Sequence, residues 1–171
     1  MIGIGQNVPP LRTPALTQGA LTLFDFSGYP NHWLALCSMP NFGLREATLL
    51  DLHRDGFGRE GAVLLALCPN APAFHAPWIR QTPYVRIPML TDPLSRLHRL
   101  FGIFREPTPR RCCSVLIDPS GVLRFRLIHD FNGRGMKSLQ EALIVNQRQP
   151  FPLFQESPVS ISKGALTPCI L

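Results

Sequence analysis

Lysine is nearly absent from this 171-residue chain: Lys137 and Lys163 are its two examples, so arginine carries the basic charge. Long apolar runs are missing as well. The longest, Ala62 to Cys68, is far too short to cross a bilayer, and no basic stretch followed by an apolar core opens the chain. Neither a transmembrane segment nor a secretory signal is therefore expected. Five cysteines, an odd number without ligand spacing, exclude a secreted disulfide framework and point to a reducing, cytoplasmic compartment. There is no Walker loop, no Gly-x-Gly-x-x-Gly and no Ser-His-Asp elbow motif. The histidines (His32, His53, His75, His98, His129) are scattered without metal-ligand spacing, so no metal or cofactor is expected. Seventeen Lys and Arg against 11 Asp and Glu give a net charge of +6, but the arginines form no block. A solvated basic surface is expected rather than a nucleic-acid site.

What the chain does have is length enough for one domain with a real core, and a change of hydrophobic period that repeats along it. Residues 1–19, rich in Gly, Pro and Thr, read as an extended lead-in. Leu21 to Phe26 alternates as a short strand. Trp33 to Cys37 is a continuous apolar strand of the kind buried on both faces. From Gly43, Leu44, Ala47 and Leu50 share a helical face, and Gly56 and Gly58 are expected to end that helix. Ala62 to Leu67 is a second buried strand. Strand, helix, strand with a helix-sized crossover argues for a parallel α/β core.

Phe74 to Gln81 is a short helix candidate and Ile87 to Leu90 a short strand. Thr91 or Asp92 is expected to cap the next helix, with Pro93 at its first position and Leu94, Leu97, Leu100 and Phe101 on its buried side. Cys113 to Ile117 and Val122 to Ile128 form a hairpin around Asp118-Pro119-Ser120-Gly121, a type I turn sequence. Met136, Leu139 and Leu143 mark a last helix. Residues 1–146 thus form the domain. Residues 147–171, with four prolines and no helical period, form a Pro-rich C-terminal tail.

The order of these elements, and the residues within them, resemble the peroxiredoxin family (alkyl hydroperoxide reductase C / thiol-specific antioxidant type). Trp33 to Pro40 is similar to the strand that leads into the family's active-site loop. Phe74-His75-Ala76-Pro77-Trp78-Ile79 resembles its His-x-x-Trp helix, and Pro88-Met89-Leu90-Thr91-Asp92 its Pro-Leu-Leu-x-Asp element. Phe101-Gly102-Ile103 resembles its Tyr-Gly-Val, and Leu116 to Arg124 its Asp-x-x-Gly hairpin. The resemblance spans about residues 3 to 146. It implies an α/β thioredoxin-like fold in its peroxiredoxin form, a central mixed sheet flanked by helices.

The resemblance also implies a site. Active members carry Pro-x-x-x-Thr-x-x-Cys at the strand-to-helix corner, followed by a Glu. The cysteine attacks peroxide as a thiolate, which a helix N-terminus and an arginine favour. Laid on this chain, Pro40 matches the proline and Glu46 the glutamate. Gly43 falls where the cysteine would be, no threonine lies between, and the arginine position falls on Cys112. The expectation is a degenerate member without thiol peroxidase activity, acting as a structural or accessory subunit. Its partner would be a protein, a larger complex or a second copy as a homodimer, with Phe151, Leu153, Phe154, Val159 and Ile161 of the tail as apolar anchors. The alternative is a rearranged thiol peroxidase or oxidoreductase using Cys37 or Cys112, with Arg111 and Arg110 lowering the thiol pKa. Cys68 reads as core, and Cys169 as a free thiol of the tail.

Overall fold

The computed structural model describes residues 1–39, 42–70, 85–103 and 111–148. They build a seven-stranded mixed sheet in the order β2-β1-β5-β4-β3-β6-β7. Its strands are β1 (Arg12–Thr17), β2 (Ala20–Asp25), β3 (Trp33–Ser38), β4 (Ala62–Cys68), β5 (Met89–Thr91), β6 (Arg111–Ile117) and β7 (Leu123–Asp130). Strands β3, β4 and β5 run parallel, and the pairs β1–β2, β1–β5, β3–β6 and β6–β7 are antiparallel. Three α-helices are described: α1 (Leu44–Arg59), α2 (Arg96–Leu100) and α3 (Gly133–Arg148). None is long and apolar enough to cross a membrane.

Both faces of β3 are covered, which is why its sequence is a continuous apolar run rather than an alternating one. Ala35 and Cys37 join one core layer with Ala47, Leu50 and Phe57 of α1 and Met136, Leu139 and Leu143 of α3. Leu34 and Leu36 join the other, with Leu97 of α2, Phe101, Val115 and Ile117. The side-chain period of two assigns each neighbouring strand residue to one layer or the other. Full burial of a residue such as Phe57 or Leu36 contributes about 1.5–3 kcal/mol.

The lead-in is more ordered than its composition predicts. It holds β1, and before it Ile2, Gly5 and Val8 donate backbone hydrogen bonds to Leu100, Leu123 and Gly121. Pro14 obscured the strand because it has no N–H to give. Its carbonyl accepts from Thr91 Oγ1 at 3.1 Å, while Thr13 Oγ1 donates to the Thr91 carbonyl at 3.3 Å. Side-chain hydroxyls thus bond the strand where the proline cannot donate to the ladder.

Two helix boundaries also differ. Gly56 and Gly58 lie inside α1, which runs on to Arg59. Gly56 sits where α3 crosses: Gln140 Nε2 donates to its carbonyl at 3.2 Å, and a Cβ there would meet the Gln140 amide at 3.4 Å. Pro93 and Leu94 precede α2 rather than opening it. Ser95 takes a left-handed backbone (φ 54°), so the helix begins at Arg96 and Leu94 is 61% exposed. The N-cap is thus Ser95 rather than Thr91 or Asp92, although the Asp92 carboxylate accepts the Arg96 N–H at 2.7 Å.

The β6–β7 turn follows its sequence. Asp118 Oδ1 accepts the Ser120 and Val122 N–H groups, both at 2.9 Å, its other oxygen accepts from Arg124 Nε, and Gly121 supplies the left-handed backbone (φ 81°).

At the start of α3 the glycines can be told apart. A Cβ on Gly135 would collide with the Asp130 carbonyl and lie 2.7 Å from His129 Nδ1, whereas one on Gly133 meets nothing within 4 Å. Gly135→Ala is expected to cost about 1–3 kcal/mol of stability, the range for overpacking, and Gly133→Ala within about 0.5 kcal/mol of nothing. Urea unfolding of the two variants checks the contrast.

Candidate functional site

The strand-to-helix corner runs from the end of β3 at Ser38 to the start of α1 at Leu44. Pro40 and Asn41 lie outside the described residues. At the helix start, Gly43 is the N-cap, and its N–H donates to Glu46 Oε2 at 3.1 Å. Gly43 cannot cap with a side chain, so Glu46 supplies the backward half of a capping box by itself. Its carboxylate also lies in the first turn, where the helix dipole favours negative charge. The glutamate that the resemblance singled out thus has a local job here, closing the first turn of α1.

The candidate thiols Cys37 and Cys112 are brought together, but under the helices rather than at the corner. Cys37 pairs across the sheet with Ser114, and Cys112 pairs with His129. All four point into the layer beneath α1 and α3. The Ser114 hydroxyl donates to Cys37 Sγ at 3.2 Å, and lies 3.4 Å from Cys112 Sγ and 2.9 Å from His129 Nε2. His129 Nδ1 lies 3.0 Å from the Asp130 carbonyl, to which it can donate. His129 also lines a cavity of about 260 Å³ with Asp130, Asn132, Arg134, Gly135 and Ser138.

Burial governs the electrostatics of this cluster. Cys112 is wholly enclosed, and burial together with the neighbouring Cys37 thiol pushes its pKa well above the ordinary thiol value. Arginine does not offset this. Arg111 is exposed at the start of β6 and, by strand alternation, on the opposite side from Cys112; Arg110 lies outside the described residues. The expected lowering of the thiol pKa is therefore reversed. Burial likewise raises Cys68. For His129, burial lowers the pKa from 6.5, and the Asp130 carbonyl and carboxylate recover only part of the shift.

Sequence reasoning missed Ser114 and His129. The available signal was alternation: a serine two residues after Cys112 must share its face, and in an otherwise apolar strand it needs a partner. The tail anchors Phe151, Leu153, Phe154, Val159 and Ile161, together with Cys169, His75 and Trp78, lie outside the described residues. Among the described residues, no group of three or more His, Cys, Asp or Glu side chains is placed to hold a metal ion.

Fold and corner together define a thioredoxin-like protein of the peroxiredoxin type. The AhpC/TSA family profile matches residues 4–126, and the chain belongs to that family. Solved structures agree on the fold. AhpC of Enterococcus faecalis is 22% identical, with a TM-score of 0.70 over 86% of this chain and 93% of its own. Thioredoxin peroxidase I of Plasmodium yoelii is 18% identical, with a TM-score of 0.72 over 95% and 100%. AhpC of Mycobacterium tuberculosis is 19% identical, with a TM-score of 0.70 over 89% and 97%. Among curated proteins, none matches this chain.

The depressed His129 gives a test of the cluster. Its folded pKa lies below the unfolded 6.5, so just under pH 6.5 the unfolded chain binds the proton that the native site resists. This contribution to stability is present above pH 6.5 and lost as pH falls through the folded pKa. Urea unfolding between pH 7.5 and 5.5 is expected to show that loss, and His129→Gln to flatten this part of the profile.

Proposed function

We propose that this chain is a peroxiredoxin-family scaffold that has lost the thiol peroxidase reaction and acts as a structural or accessory subunit by binding a protein partner. One observation carries the reading. The helix N-terminus where the family's thiolate forms holds Gly43, with Glu46 hydrogen-bonded to it. Peroxide attack requires a thiolate at that end, close to a positive dipole and open to substrate. The chain has no cysteine between Ser38 and Glu46. Its four described thiols are buried.

Binding then falls to surfaces outside the old site. The tail after Arg148 carries Phe151, Leu153, Phe154, Val159 and Ile161, large apolar side chains in a segment rich in proline. Such residues act as interface anchors, and a few of them dominate binding energy. The partner is a second copy of the chain or another protein of a larger complex. Replacing Phe151 and Phe154 together by Ala is expected to weaken the association at least about tenfold, roughly 1.4 kcal/mol, in sedimentation of the purified protein or its complex. Unchanged association removes the tail from the proposal.

A second reading is favoured by Ser114, whose hydroxyl touches both Cys37 and Cys112. A thiol oxidoreductase could use this pair: the two thiols and one hydroperoxide would give a disulfide, an alcohol and water, with both sulfurs oxidised and the O–O bond reduced. Single-turnover peroxide consumption by the reduced full-length protein separates the readings. The scaffold reading expects no rapid phase. A rapid phase that Cys37→Ser or Cys112→Ser abolishes would establish the oxidoreductase instead.

A further inference from the structure

A second buried polar chain lies on the opposite face of the sheet and takes no part in the thiol cluster. Ser38 ends β3, and its Oγ lies 2.9 Å from Nε2 of His98 on α2. Nδ1 of the same ring lies 2.7 Å from Asp92 Oδ2. The carboxylate is itself held in place. Oδ1 accepts the Arg96 N–H at 2.7 Å, and Oδ2 accepts the His98 N–H at 3.0 Å. Ser38 is 4% exposed, Asp92 4% and His98 8%.

The proton positions follow from Asp92. Burial pushes its pKa up, but hydrogen bonds from the His98 ring and from the His98 and Arg96 N–H groups outweigh this, and the net shift is downward. The group is therefore a carboxylate at neutral pH and can only accept. In the neutral ring this places the proton on Nδ1 and leaves the Nε2 lone pair facing Ser38, so the serine hydroxyl donates to Nε2. A nucleophile bonded to a base, and the base bonded to a fixed orienting carboxylate, is the arrangement that activates a hydroxyl. Satisfying one buried serine would need a single acceptor. Here the acceptor is an imidazole whose tautomer is set by a carboxylate with two further backbone anchors.

Position supports the same chemistry. Ser38 and Asp92 sit at the carboxyl ends of β3 and β5, in the parallel part of the sheet. Open α/β sheets bind ligands at the carboxyl ends of their strands.

We propose that Ser38, His98 and Asp92 form a nucleophilic acyl-transfer site for small activated esters. Ser38 Oγ attacks the ester carbonyl carbon as its proton passes to His98 Nε2. The bond from that carbon to the alkoxy group breaks, and the alcohol departs with the proton. Water, giving a proton to Nε2, then attacks the acyl group on Ser38. The bond from Oγ to the acyl carbon breaks, Oγ recovers its proton from Nε2, and a carboxylic acid is released. Asp92 stays ionised throughout and stabilises the imidazolium.

The test uses the full-length protein with p-nitrophenyl acetate as probe, peptide mapping of the acetyl adduct by mass spectrometry, and p-nitrophenolate release alongside. One adduct per chain on Ser38 is expected, absent from Ser38→Ala. His98→Gln should slow the labelling about 100-fold or more, the size of a general-base contribution. Asp92→Asn should slow it as well, since Nδ1 loses its carboxylate, and it serves as the second variant where His98→Gln does not fold. A native protein unlabelled at Ser38, or labelled at the wild-type rate in either folded variant, overturns the proposal. This outcome is independent of peroxide consumption, so it leaves the scaffold reading to its own experiment.

Discussion

The packing of β3 between two apolar layers is the constraint on which the rest of this molecule depends. A strand covered on both sides has no solvent face, so each of its side chains must be apolar or find a buried partner. Ala35 and Leu36 meet the first condition. Cys37 and Ser38, the last two residues, meet the second in opposite directions. Cys37 turns under α1 and α3 to the Ser114 hydroxyl, and Ser38 turns to His98 on α2. A register slip of one residue would exchange the two layers and leave both polar chains without partners. Burying an unpaired hydroxyl or imidazole costs about 1–3 kcal/mol, so these bonds hold the register that the apolar residues set.

The start of the helix that follows β3 is satisfied locally. A helix N-terminus presents unpaired N–H groups and a positive partial charge, and something must answer both. In an active peroxiredoxin the resemblance implies a thiolate at that place. Here Glu46 reaches back to Gly43, so the end of α1 is satisfied by the helix's own first turn. The consequence for chemistry is direct. Cysteine reactivity depends on a stabilised thiolate, and the remaining described thiols are packed among apolar side chains that disfavour charge. Good packing of Cys112 and activation of Cys112 are alternatives.

How far the residues alone lead can be seen element by element. The apolar runs of β3 and β4, the Asp-Pro-Ser-Gly turn and the stripe of Met136, Leu139 and Leu143 were legible because each is a local signal. Strand β1 was not, because Pro14 and the threonines around it look like a loop until Thr91 supplies a side-chain hydrogen bond from 77 residues away. Gly56 and Gly58 read as a helix stop because an intrinsic propensity was read without its tertiary setting. Packing against Gln140 of α3 carries the helix past them. The start of α2 was misplaced by three residues because Pro93 suits a first helical turn, whereas Ser95 takes a left-handed backbone that delays it.

The residues by themselves determined the family, the order of the strands from β2 on and the absence of a cysteine between Ser38 and Glu46, since these rest on runs, spacings and absences within short stretches. Tertiary structure alone decided which polar groups meet. Ser114 reaches Cys37 across 77 positions, and Ser38 reaches His98 across 60. No local periodicity encodes such distances. They follow from which strands become neighbours in the sheet and which layer each side chain enters, and that is settled by the burial of apolar surface over the whole domain.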